Sequence, residues 1–301
     1  MKIYIHAGTH KTATTSFQKL CFIKKEDLCE QGLFIPEFKD KSKIINFAQS
    51  RGMKVYDLSI QHNFLAWYLQ LKEIDEIKEF LINAYVNAKR KKCNSILISA
   101  EDFENILVDE YMANYFESIS KEVGFSEIEW IFVKRNSFNY LKSLYSELSK
   151  YGLILEFYQL YKIIMTNGYY RVSNHWYSNI YIFDLINLIE RFKRKHSSNI
   201  SIIKFEDFIS PYLGFTILNK IIPVNKLNKL DIGEEKIINA NKSLTIHEIE
   251  FNYLCNFLRL SPESKTYENN KELFNKLISY RQRKNNEATE LIKESINRKF
   301  G

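Results

Sequence analysis

The 301-residue chain holds only 9 glycines, 4 prolines and 4 cysteines. So few glycines and prolines exclude the collagen-like, linker-rich and low-complexity classes, which need them in bulk. No apolar run approaches the ~18–20 residues of a membrane span. The start does not read as a secretion signal either. Met1–His6 has a strand pattern, and Lys11 interrupts the apolar window such a signal needs. Cys21, Cys29, Cys93 and Cys255 form no CxxC pair and have no histidine at metal-ligand spacing. They are expected to be buried thiols of a reduced, cytoplasmic chain.

What the chain does have is material for a core: 45% hydrophobic residues against 26% charged. Lys and Arg number 43 and Asp and Glu 36, a net charge of +7. Residues 1–190 hold 23 basic and 23 acidic side chains, and residues 191–301 hold 20 and 13. The excess therefore sits in the last third, which suggests a local anionic partner. Within 271–301 the basic residues alternate with Glu272, Glu287, Glu290 and Glu294, the pattern of a solvated helix face. A nucleic-acid binder interleaves its cations with aromatics along one stripe, so no nucleic-acid partner is expected.

Four short apolar runs read as buried parallel strands: Lys2–Ala7, Ser95–Ser99, Ile128–Lys134 and Ile200–Phe205. Helical periodicity covers Thr15–Gln31, Asp75–Ala88, Phe138–Tyr151, Asp184–Lys195, Thr245–Leu258 and Asn285–Phe300. The polar stretch Ser261–Asn270 reads as a break between two helices. Strand, loop and helix in repetition imply one α/β domain over 1–301, with a central parallel sheet flanked by helices and a helical C-terminal portion at about 245–301.

The first strand feeds a loop, Gly8-Thr9-His10-Lys11-Thr12-Ala13-Thr14-Thr15, and then a helix. The first N–H groups of a helix lack partners and its dipole favours an anion, so this arrangement is a phosphate cradle. Against the nucleotide pattern GxxxxGK(S/T), Gly8 and Thr15 fit, but Ala13 replaces the second glycine and Thr14 the lysine. The only lysine has moved to mid-loop, at Lys11. That placement suits a single terminal phosphate held without a metal ion. A second anion point is expected at Arg135, where the third strand ends, with Ser143 about two helical turns on. The guanidinium fork and the hydroxyl could grip one phosphate between them.

These two loops resemble the sulfotransferase family that uses 3′-phosphoadenosine 5′-phosphosulfate. The family's first loop reads roughly K-(S/T)-G-T-T, here Lys11-Thr12-Ala13-Thr14-Thr15, and its second roughly R-x7-S, here Arg135 to Ser143. Ile98-Ser99-Ala100-Glu101 is similar to the family's strand ending in Ser-x-Glu. Phe205-Glu206-Asp207-Phe208 resembles its turn after a late strand. Leu28–Pro36 and Asn241-Lys242-Ser243-Leu244 look like segments of bacterial members. The resemblance implies a P-loop NTPase-like three-layer fold. It assigns the donor's 5′-phosphate side to Gly8, Lys11, Thr12, Ala13, Thr14 and Thr15, and the 3′-phosphate to Arg135 and Ser143. Ala13 departs from the family's glycine, so the loop must avoid a positive φ there or carry strain. The Gly-rich basic C-terminal segment of animal members is absent from the pattern, and Arg281-Gln282-Arg283-Lys284 is the candidate to replace it.

On this reading the chain moves a sulfuryl group in line to an acceptor hydroxyl, most plausibly on a glycan or glycolipid, with no metal expected. Lys11 neutralises the bridging oxygen, and Glu101 is the first choice of base because ligands bind outside the carboxyl ends of parallel strands. His10, in the cradle itself, and His62, before an apolar helix, are the alternatives. A P-loop small-molecule kinase and a non-catalytic polyanion binder are the competing readings. The kinase needs a lysine where Thr14 stands.

Overall fold

The computed structural model describes residues 1–50, 62–173, 178–228, 244–261 and 265–301. The chain packs as two compact units, Met1–Lys134 with Arg171–Ile238, and Arg135–Tyr170 with Asn239–Gly301. In chain order the strands are β1 (Lys2–Gly8), β2 (Leu33–Phe34), β3 (Ser95–Ser99), β4 (Glu127–Lys134), β5 (Tyr169–Ser173), β6 (Ser178–Ile182) and β7 (Asn199–Lys204). The helices begin with α1 (Thr14–Ile23), α2 (Lys25–Glu30), α3 (Lys41–Gln49), α4 (His62–Leu71), α5 (Ile74–Arg90) and α6 (Tyr111–Val123). They continue with α7 (Ser137–Ser149), α8 (Phe157–Asn167), α9 (Leu185–Lys193), α10 (Phe205–Ile209), α11 (Phe215–Ile221) and α12 (Val224–Leu227). The last are α13 (Ile246–Leu258), α14 (Lys265–Asn269) and α15 (Lys271–Phe300).

The first unit is an α/β body built on a five-stranded sheet in the order β2-β3-β1-β4-β7. Every neighbouring pair is parallel. Side chains alternate across it, as strand geometry requires. Tyr4, Leu97, Ile131, Val133 and Ile203 face one way, against Phe17 and Leu20 of α1, Leu28 of α2, Phe208 of α10 and Ile217 of α11. Ile3, Ile5, Ile96, Ile98, Trp130 and Phe132, the alternate residues, are also fully buried. On that face the Trp130 ring meets Phe116 of α6 at 5.5 Å and Phe192 of α9 at 6.5 Å. Each such side chain contributes about 1.5–3 kcal/mol on burial. Helices on both faces deny water to β1, β3 and β4, which is why these are continuous apolar runs. The edge strand β7 departs from the expected buried strand, with Ile202 exposed and only Ile203 buried.

Two registers position the site. His6 lies opposite Ser99 of β3 and Ile131 of β4, so the carboxyl ends of β1 and β3 open at one level. Between His6 and Gly8 the pairing with β4 slips by a residue. Such a bulge re-aims the chain as it leaves the sheet.

The second unit holds α7, α8 and the C-terminal helices. Tyr253, Leu254, Phe274 and Ile278 form its small core between α13 and α15. Polar links complete it: Ser137 Oγ donates to Phe300 O at 3.1 Å and Tyr161 to Ser295 Oγ at 2.9 Å. Thr245 and Glu248 form a capping box that starts α13, and Gly168 ends α8 with φ 78°.

All four expected strands form, within a residue of their expected bounds. The expected helix Thr15–Gln31 is two helices that meet at Lys24, with Glu26 and Asp27 in the first turn of α2, where the dipole favours acids. The last helix begins at Lys271 rather than Asn285, and a short helix, α14, lies within the expected polar break. Asn241, Lys242 and Ser243 lie outside the described residues. Among the described residues no helix is long and apolar enough to cross a membrane.

Candidate functional site

The loop between β1 and α1 turns through three left-handed residues, Gly8 (φ 62°), Lys11 (φ 63°) and Ala13 (φ 61°). For Lys11 and Ala13 this backbone costs roughly 1–2 kcal/mol each. The chain thus takes the strained path at Ala13. At Gly8 an added Cβ would sit 2.8 Å from Thr14 Oγ1 and 3.4 Å from Glu101 Cα, so only glycine fits. The strain is held by threonines. Thr9 Oγ1 donates to Val133 O at 2.9 Å, and Thr12 Oγ1 donates to Thr9 O at 2.5 Å. Thr12 Oγ1 lies 3.4 Å from Thr14 Oγ1. Thr12 is fully buried and its hydroxyl shapes the loop; Lys11 and Thr15 are half-buried.

The start of α1 is the chemically open part. Its cap residue is Ala13, whose methyl accepts no hydrogen bond, and no acidic residue stands in the first turn. The first N–H groups of the helix therefore point into the loop without a capping acceptor, where an anion is favoured. Glycine for close approach, a lysine in mid-turn and an uncapped helix start together fit a terminal phosphate or sulfate.

Beside this loop lies a buried charge cluster. A 3-10 helix, Glu101–Leu107, follows β3 and carries Glu101, Asp102 and Glu104 toward His10. His10 Nδ1 is 3.6 Å from Glu101 Oε1, and its Nε2 is 3.5 Å from Asp102 Oδ1 and 3.4 Å from Glu104 Oε1. The Tyr181 ring covers the imidazole at 4.7 Å. Burial alone would push His10 down, but the carboxylates of Glu101, Glu104 and Asp102 outweigh it and lift the ring to about 10. Burial lifts Glu104 to about 8 and Asp102 to about 6, with the His10 charge opposing in both. Facing three carboxyl groups, the His10 ring favours its protonated, cationic form. Glu101 is the least buried of the three carboxylates, with a quarter of its side chain exposed. Asp102, Glu104, Thr9 and Tyr181 were not singled out in the sequence; the acidic run Glu101-Asp102-Phe103-Glu104 directly after a strand is the signal that could have found the first two.

The other expected residues fall elsewhere. His62 is buried at the start of α4. Its Nε2 lies 2.8 Å from Pro36 O, and its Nδ1 accepts the Ser99 N–H at 3.1 Å. Burial pushes it down to about 4, so it is neutral with both nitrogens committed to backbone, which makes it a strut between strand and helix. In the second unit, Arg135 Nη1 donates to Ser143 Oγ at 3.0 Å, so the two residues expected to share a phosphate do lie together. Arg281 is held internally: Nε meets Glu250 at 2.6 Å, Nη1 meets Glu156 at 2.9 Å, and the guanidinium lies over the Tyr253 ring. Its charge is spent within the unit.

The chain matches no family model, no curated protein and no solved structure.

Proposed function

We propose that the chain is a sulfotransferase with a P-loop NTPase-like fold, using 3′-phosphoadenosine 5′-phosphosulfate as donor and a hydroxyl, on a glycan or glycolipid, as acceptor. The observation that carries this reading is the β1–α1 loop, with an uncapped helix start, a glycine that no other residue can replace and a single lysine in mid-turn. The donor supplies an activated sulfuryl group, and the protein's task is positioning and charge neutralisation. The first N–H groups of α1 and the Thr15 hydroxyl hold the 5′-phosphate. Lys11 offsets charge on the bridging oxygen, and protonated His10 adds a second positive charge to the loop. Glu101 takes the acceptor proton, since its backbone lies beside Gly8 and its carboxylate is the least buried of the three. The assignment of the 3′-phosphate to Arg135 and Ser143 rests on the family resemblance alone.

The test is a transfer assay in chelator, with the sulfated donor, a panel of glycan acceptors and mass-spectrometric detection. A sulfated product formed without divalent metal is expected. Phosphoryl transfer from Mg·ATP, with no sulfated product, would overturn the reading in favour of a kinase.

A further inference from the structure

Two of the four cysteines are brought together by the fold. The Sγ atoms of Cys29 and Cys93, 64 positions apart in sequence, lie 3.2 Å from each other, and both residues are free thiols. Their backbones are pinned. Cys29 O accepts the Gly32 N–H at 2.9 Å at the end of α2, and the Cys93 N–H donates to Ala88 O at 2.9 Å after α5. Just beyond, Asn94 N donates to Gly32 O at 3.1 Å and β2 pairs with β3 from Leu33 and Ser95. The sulfur approach is thus set by sheet pairing and helix ends on both sides. A disulfide bond is about 2.0 Å long, so closing this pair takes about an ångström of side-chain movement shared between two residues.

The two thiols differ in access. Cys29 is half-buried and Cys93 is 4% exposed. The ammonium of Lys91, paired with Glu26 at 2.9 Å, bears on both sulfurs. Burial pushes the Cys93 thiol up to about 12. By its access to solvent Cys29 is the attacking group, and the enclosed Cys93 is the resolving one. Cys21, by contrast, sits in the apolar core beneath α1, where burial pushes its thiol up.

We propose that Cys29 and Cys93 form a reversible oxidation site, which closes to a disulfide on reaction with a low-molecular-weight disulfide such as oxidised glutathione. The Cys29 thiolate attacks one sulfur of that reagent, forms a mixed disulfide and releases one reduced thiol. Cys93 gives its proton to solvent and attacks the Cys29 sulfur, expelling the second reduced thiol. Two protein thiols are oxidised and one small disulfide is reduced to two thiols, so atoms and electrons balance. The bridge would tie α2 to the segment leading into β3 and restrict the unfolded chain, so the oxidised protein should melt higher than the reduced one. This site is independent of the sulfuryl-transfer reading.

The test uses the full chain, reduced and then treated with oxidised glutathione, followed by alkylation and peptide mapping without reductant. A linked Cys29–Cys93 peptide, the loss of two alkylatable thiols, and a rise in Tm of several degrees reversed by dithiothreitol are expected. In Cys93→Ala the glutathione adduct should remain trapped on Cys29; in Cys29→Ala, Cys93 should stay reduced. Both thiols remaining alkylatable in the treated wild-type protein, or linkage through Cys21 or Cys255, would overturn the proposal without reference to either variant.

Discussion

The starts of α1 and α7 follow two parallel strands that are neighbours in the sheet, yet they are built in opposite ways. At α7, Asn136 is an ordinary cap: a negative φ of −52°, with a side chain that accepts the Asn139 N–H at 3.1 Å. At α1 the cap is Ala13, left-handed and without an acceptor. One helix satisfies its own end from sequence. The other leaves its donors open and spends two strained non-glycine residues to do so. Backbone strain of this kind tends to cluster at binding loops, and that is the ground for proposing an anion at this helix start.

The predictions probe that contrast. Lys11→Ala should lower sulfuryl transfer by about 10²–10³-fold, the usual cost of losing one preorganised charge-stabilising group, while urea unfolding stays near wild type. Near-wild-type turnover would remove the loop from the chemistry. Arg135→Ala should weaken binding of the product nucleotide by about 1.5–3 kcal/mol, as measured by calorimetry; unchanged affinity would leave α7 as a purely structural helix start. Gly8→Ala should destabilise by about 2 kcal/mol in urea, because a methyl there meets both a positive φ and Thr14 Oγ1. The two caps then separate. Asn136→Ala should cost about 1 kcal/mol, whereas Ala13→Gly should gain up to about 1 kcal/mol by releasing the left-handed strain. Equal signs for these two changes would erase the contrast between the helix starts.

The smallest effect is in the pH profile. His10 has its folded value raised to about 10, so its stabilisation is complete below about 6.5 and is lost as pH rises through 10. His6 and His62 are lowered by burial to about 3 and about 4, so they favour the fold above about 6.5 and lose that contribution as pH falls through those values. Thermal unfolding against pH should therefore fall on both flanks, and His10→Gln should remove the fall on the alkaline one. A change confined to the acid flank would mean that His10 is neutral in the fold.

Much of this was legible in the residues. Short runs rich in Ile and aromatics marked the central strands because burial on both faces leaves no room for a polar alternation. The strand–loop–helix pattern and the mid-loop lysine pointed to an anion loop, but that Ala13 would stand at the cap of α1 was not legible. The contacts around His10 were not legible. Asp102 and Glu104 reach it only because β1 and β3 are adjacent and in register, a long-range fact that local pattern does not carry. The same holds for Cys29 and Cys93, whose spacing in sequence is uninformative until β2 pairs with β3. His62 misled for a related reason. A histidine before an apolar helix looks unengaged until Pro36 and Ser99 supply its two partners.

The most direct test is a calorimetric titration of 3′-phosphoadenosine 5′-phosphate into the wild-type chain and into Lys11→Ala, both in chelator. Saturable metal-free binding to wild type, reduced at least tenfold in the variant, is the result expected from an open anion loop with its lysine in mid-turn. No binding to wild type, equal binding to both, or a preference for Mg·ATP would contradict it.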